Sequence, residues 1–187
     1  MAGPPKISST ASSMLAMDQH EGIEKIEVFL ARAREAYKDP DDRDWSSEIV
    51  RHLSVVSHAA APARAVTFRF EVGPAHDNGT GNLHGGCAAT LFDVCTTLPL
   101  CLEPPPGAPP GFRRGGVTRS LALTCLRPAP VGAAVHVRCR VLQAGRHLAL
   151  VRGEMRAAPP APGAPEGPLL AVCEHAKVNT DPPSARL

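Results

Sequence analysis

Aromatic side chains are scarce in this chain: one tryptophan, one tyrosine and five phenylalanines among 187 residues. The core must therefore be filled mainly by Val, Leu, Ala and Cys. The apolar fraction of 43% is that of a folded globular protein, and the length suits one full domain rather than two. No apolar run approaches the ~18 residues of a membrane span. Residues 1–17 hold a single lysine, no arginine and no continuous apolar core, so neither a secretory leader nor a mitochondrial presequence is expected there. The expected compartment is the cytosol, with a mitochondrial or peroxisomal address only weakly excluded. The end, Ser184-Ala185-Arg186-Leu187, is only loosely like a peroxisomal tripeptide. Also missing are any Cys-x-x-Cys pair and any Cys/His cluster at zinc-finger spacing. Cys87, Cys95, Cys101, Cys125, Cys139 and Cys173 are expected to be reduced, small core residues.

Charge is nearly balanced, at +2, but unevenly placed. From Arg113 to Arg156 nine arginines face one acid, Glu154, whereas Asp18 to Glu48 leans acidic. An arginine-rich half suits a phosphorylated partner. Alternating strand positions that simply face water would read the same way.

Periodicity divides the chain. Residues 1–17 are small and polar without pattern, and disorder is expected. Ile23, Ile26, Phe29, Leu30, Ala33 and Tyr37 recur at helical spacing between Asp18 and Lys38, and Asp39-Pro40-Asp41-Asp42 ends that helix. Trp45 to His52 can form a second short helix, so 18–52 reads as a helical extension. Leu53 to Ala60 and Ala65 to Val72 then read as strands, the second alternating Val66, Phe68, Phe70 and Val72 with polar residues. A long helix runs from Leu83 or His84 to about Leu98, apolar nearly all round and hence expected to be covered on most sides. Pro99 ends or kinks it. After a Pro/Gly loop from Pro104 to Gly111, four strand-like runs follow: Gly116 to Leu126, Ala134 to Gln143, His147 to Ala157, and Leu169 to Asn179. Ala144-Gly145 marks a hairpin turn, and Ala158 to Pro168 is a loop. Consecutive strands with short turns and one helix predict an α+β domain with an antiparallel sheet over 53–179, and a tail over 180–187.

The run from Asn78 to Asp93 concentrates the chemistry. Between His84 and Leu102 the only charged side chain is Asp93, and a lone carboxylate on an apolar helix must be paired, hydrogen-bonded or kept for chemistry. His84-Gly85-Gly86 stands at the helix mouth, where first-turn N–H groups lack partners and the dipole is positive. Glycine lets a ligand atom approach that backbone, as an oxyanion hole requires. The same glycine pair would also serve a tight loop-to-helix turn. Asn78 can donate to a carbonyl, although Asn-Gly is also an ordinary turn dipeptide. Thr118, near the start of a strand, can hold a water or be a routine strand threonine. Asp93 lies nine residues past His84, roughly 13 Å along a helix axis. One reacting carbon cannot touch both ends of that distance. If Gly85 and Asp93 serve one reaction they come from two copies of the chain, with antiparallel helices and two equivalent sites. Two rival readings use the same stretch. Cys87 in the first turn could be a nucleophile, though it is followed by Ala88 and Ala89 and is expected to point into the core. His76, Asp77 and His84 match no regular metal-ligand spacing, and no metal or other cofactor is expected.

The Asn78…His84-Gly85-Gly86…Asp93 pattern resembles the hotdog-fold acyl-CoA thioesterases of the 4-hydroxybenzoyl-CoA thioesterase superfamily, in particular the phenylacetyl-CoA thioesterase-like branch. The likeness covers roughly Leu53 to Val178 and includes Val117-Thr118 and the hairpin at Gln143-Ala144-Gly145-Arg146. It implies a six-stranded antiparallel sheet wrapped round a long helix, assembled as homodimers or homotetramers. It also implies hydrolysis of an acyl-CoA to free acid and coenzyme A. By position, Asn78 and the Gly85 N–H would polarise the thioester carbonyl, and His84 would lie by the sulfur. Asp93 of the partner copy would activate water, with Thr118 in place of the serine of several relatives. Gly86, Arg113, Arg119 and Arg146 are the expected substrate contacts. A catalytically weak acyl-binding protein, an acyl-carrier-protein thioesterase and a hotdog dehydratase are the alternatives, although the paired His and Asp motif of the dehydratases is not visible.

Overall fold

The computed structural model describes residues 17–108 and 111–181. The disorder expected for 1–17 (Met17 apart), the last part of the tail and the end at 184–187 lie outside the described residues. Helix α1 is Glu24–Ala36, the short α2 is Ser47–Val50, and the central helix α3 is Gly85–Thr97. The strands are β1 Ser54–Ala59, β2 Ala65–Glu71, β3 Val117–Cys125, β4 Ala134–Ala144, β5 Leu148–Ala157 and β6 Leu169–Val178. They form one antiparallel sheet in the order β1-β2-β4-β5-β6-β3. Among the described residues, no helix is long and apolar enough to cross a membrane.

The first helix is shorter than its periodicity predicts. Gly22 has φ +54°, a left-handed conformation that separates a 3₁₀ turn at Met17–Gln19 from α1. Ile26, Phe29, Leu30 and Ala33 of α1 pack into the main core. All five phenylalanines are buried, so the few aromatics the chain has are spent on packing. The single tryptophan is the exception: Trp45 is 86% exposed.

The central helix lies on the inner face of the sheet and buries Ala88, Leu91, Phe92, Cys95 and Thr96. Phe92 fits because position 153 on β5 is glycine; a Cβ there would stand 2.7 Å from the Phe92 ring. The other helix face, with Ala89, Thr90, Asp93, Val94 and Thr97, is partly exposed, so a single chain covers this face less completely than the face turned to the sheet. Pro99 does not stop the chain abruptly. It sits in a 3₁₀ turn, Leu98–Cys101, that continues the helix into the core. Cys125 departs from the expectation for cysteines: it is exposed, at the end of edge strand β3.

Candidate active site

Local sequence sets the mouth of α3. His84 is extended (ψ 136°) and caps the helix with its ring, Nδ1 accepting from the Gly86 N–H at 3.0 Å. A histidine whose Nδ1 accepts carries its proton on Nε2 when neutral, so His84 presents an N–H outward. The cap consumes the Gly86 N–H. The Gly85 N–H makes no hydrogen bond among the described residues, and no atom lies within 4 Å of where a Gly85 Cβ would be. Of the two glycines, Gly85 is therefore the one whose amide faces open space. Asn78 is oriented by its own loop. Its Oδ1 accepts from the Thr80 N–H (2.8 Å), the Thr80 hydroxyl (2.7 Å) and the Asn82 N–H (3.4 Å). That leaves the Nδ2 hydrogens to donate. Asn78 and Gly85 line one cleft of about 420 Å³ together with Leu83, Cys125, Arg127 and Leu170.

Asp93 opens elsewhere. It borders a second cleft of about 280 Å³, lined by Phe29, Trp45, Thr90, Val94, Leu98 and Lys177. Its carboxylate is anchored from behind. The Thr118 hydroxyl donates to Oδ1 at 2.8 Å, and His175 Nε2 is 3.2 Å from the same oxygen. Thr118 reaches this position because β3 carries a bulge at Arg119: Thr118 pairs with Lys177 and Ser120 with Ala176. In a regular strand Thr118 and Leu121 would face opposite sides; the extra residue puts both on the face of α3.

Two residues of this site had not been singled out in the sequence. His175 is fully buried and Lys177 is 3% exposed, and Lys177 donates to the Thr97 hydroxyl at 2.7 Å. A signal existed: Ala171, Cys173, His175 and Lys177 occupy the inward positions of β6, where apolar residues are the rule. Burial lowers the pKa of His175 to about 4, with the Lys177 cation acting in the same direction and Asp93 opposing. Burial also lowers that of Lys177, which the negative charge of Asp93 partly restores. Cys173, on the same face, is pushed up to about 12.

The predicted arginines divide. Arg113 and Arg146 flank the loop around Asn179: Arg146 gives its carbonyl to Asn179 and Arg113 its N–H to Asp181. Arg119 is exposed at the β3 bulge. None of these three lines either cleft within one chain. Arg127, not predicted, does line the Asn78/Gly85 cleft and donates to the Leu169 carbonyl at 2.8 Å.

The rival readings meet specific obstacles. Cys87 packs against the core, and burial raises its thiol to about 11, the reverse of an activated nucleophile. His76 is 2% exposed, and its ring groups with Glu48 and His52, their ligand atoms lying within 4.8 Å of one another, while it meets His84 through the backbone, the His84 N–H donating to the His76 carbonyl at 2.8 Å. His76 Nδ1 accepts from the Gly73 N–H at 2.9 Å, so its Nε2 carries the proton and has no lone pair for a cation. Glu48 is already held by Arg51 at 2.6 Å and by the Tyr37 hydroxyl at 2.5 Å.

Residues 80–164 match the sequence profile described as the thioesterase superfamily. The antiparallel sheet wrapped on one central helix is the hotdog fold, and the profile match makes residues 80–164 similar to that superfamily. The chain is 34% identical over 102 residues, 54% of its length, to acyl-coenzyme A thioesterase 13 of Homo sapiens, and it spans 65% of that relative's length. The solved structure of thioesterase superfamily member 2 from Mus musculus superposes with TM-score 0.58 at 27% identity, covering 80% of this chain and 96% of that one. The zebra fish thioesterase superfamily member 2 superposes with TM-score 0.64 over 85% of this chain and 99% of that one, a likeness of fold at 24% identity.

Proposed function

We propose that this protein is an acyl-CoA thioesterase whose active site is shared between two copies of the chain. The observation that carries the reading is the separation of two complementary half-sites on one helix. The donors, Gly85 N–H and Asn78 Nδ2, open into one cleft, and the Thr118-anchored carboxylate of Asp93 opens into another. Antiparallel pairing of two α3 helices would bring the donor end of one against the acid of the other. Two surfaces support such pairing: the half-buried face of α3 that carries Asp93, and β3, a nine-residue edge strand exposed along most of its length.

In this site the thioester oxygen accepts from Gly85 and Asn78 and becomes the oxyanion. Asp93 of the partner subunit takes a proton from a water positioned with the Thr118 hydroxyl, and that water attacks the acyl carbon. The C–S bond then breaks. The thiolate is already a fair leaving group, His84 Nε2–H can donate a hydrogen bond to it as charge develops on sulfur, and the proton taken up by Asp93 ends on the thiolate or in solvent. Arg127 at the donor cleft is the arginine best placed for the phosphates of coenzyme A. Arg113, Arg119 and Arg146 would reach them only across a subunit interface.

The test is thiol release across acyl-CoA chain lengths, with Asp93→Asn in parallel and native mass measured on the same samples. Turnover that collapses in the variant, by an assembly no smaller than a dimer, supports the reading. Acyl-CoA retention without turnover would favour an acyl-binding protein, and an active monomer would refute the shared site.

A further inference from the structure

The hydrogen bonds behind Asp93 determine the state of His175. The Thr96 hydroxyl has one proton and donates it to the Phe92 carbonyl at 2.5 Å, since a carbonyl can only accept. His175 Nδ1 stands 2.6 Å from the same hydroxyl oxygen and must therefore be the donor there. With its proton on Nδ1, the neutral ring presents a bare Nε2 to Thr118 Oγ1 at 2.9 Å and to Asp93 Oδ1 at 3.2 Å. Two acceptor atoms, Asp93 Oδ1 and His175 Nε2, thus face a single hydroxyl proton, that of Thr118, which donates to Asp93. A second proton is the missing element of this cluster.

We propose that His175 is the buried half of the catalytic base, and that the proton Asp93 draws from the attacking water is shared with His175 Nε2. This rests on the thioesterase reading. As the water O–H bond breaks, its electron pair forms the bond to the acyl carbon and the carbonyl π pair moves to the oxygen. The proton settles between Asp93 Oδ1 and His175 Nε2. When the carbonyl re-forms, sulfur leaves with the C–S pair, and the shared proton returns to solvent or to the thiolate. His175 never meets substrate, so it is a positioning residue acting through Asp93 and Thr118. The charged and titratable groups facing it are Asp93 from α3 and, on its own strand, Lys177 and Cys173. Burial, and then the Lys177 cation, disfavour the imidazolium in the resting site, and the Thr96 hydroxyl oxygen holds the one ring proton on Nδ1, which leaves Nε2 bare.

Two measurements test this. In ¹⁵N NMR of the wild-type protein at neutral pH, His175 should show a protonated Nδ1 and a bare Nε2; a resting Nε2–H overturns the proposal. This readout does not need turnover, so it separates the proposal from the thioesterase reading, which an absence of activity on every acyl thioester would sink. In His175→Gln the amide can still accept from Thr118 but cannot share a proton. We expect kcat to fall about tenfold, a fraction of the 10²–10⁴ that a complete general base supplies, with KM unchanged. The acid limb of kcat/KM should move to lower pH, because the protonated base has lost its second acceptor. An unmoved acid limb in folded protein overturns the proposal. Should that variant not fold, Thr96→Val carries the test: it removes the acceptor that pins the tautomer, and Nε2–H should then appear as kcat falls.

Discussion

Gly85 and Asp93 share one helix, yet they open into different clefts, one lined by Asn78 and Arg127 and the other by Trp45 and Lys177. Helix geometry makes this unavoidable, since eight residues at about 1.5 Å each keep them roughly 12 Å apart. A site built from both must be completed by symmetry.

That relationship predicts complementation between inactive chains. Asp93→Asn and Asn78→Ala should each be nearly inactive alone. Co-expressed, half of randomly paired dimers combine one chain of each kind and regain one intact site of two, so activity should recover to about a quarter of wild type. Thiol release on the mixed assembly checks it, and no recovery would place both groups in one chain's site.

Gly85→Ala separates catalysis from folding. No atom lies within 4 Å of the added methyl in the chain, so the unfolding midpoint should barely move. In the proposed site the methyl would stand where the thioester oxygen approaches the amide, and a displacement of that order lowers kcat/KM by about a hundredfold. Denaturant unfolding alongside steady-state kinetics distinguishes this from a merely structural glycine.

Gly153→Ala should do the opposite. Its Cβ would meet the Phe92 ring at 2.7 Å and Thr96 Cγ2 at 3.0 Å, both fully buried. Overpacking of this kind destabilises by about 1–3 kcal/mol, read as a lowered Tm. Asp93 lies one residue beyond Phe92, so some loss of activity should accompany it.

Acid stability should depend on Glu48. Hydrogen bonds from Arg51, and then from Tyr37, lower its pKa from 4.5 to about 2 against a smaller opposing desolvation. Because the folded value is depressed, its stabilisation is complete above pH 4.5 and is lost as pH falls from there towards 2. With screening at a partly exposed site, about 1–2 kcal/mol is at stake. Urea unfolding of Glu48→Gln between pH 7 and 3 should show a flatter pH profile than wild type. An equal slope in both would remove Glu48 from the acid response.

The six strands, the central helix and the Asn78-to-Asp93 run were legible in the sequence because each rests on short-range pattern. Strand alternation such as Val135, Val137 and Cys139 has period two, and an apolar stretch of this length with a glycine mouth is a helix signal. The separation of Gly85 from Asp93 along the helix was legible too, because rise per residue is a constant. What surrounds Asp93 was not. Thr118 and His175 meet across 57 residues, and Thr96 and His175 across 79, contacts that exist only once β6 is paired between β5 and β3. The β3 bulge that turns Thr118 inward, and the cap by which His84 consumes the Gly86 amide, likewise left no local trace. Period and spacing act along the chain and can be read there. The proton inventory of a buried site depends on which distant donors the fold brings within 3 Å, and only tertiary structure decides that.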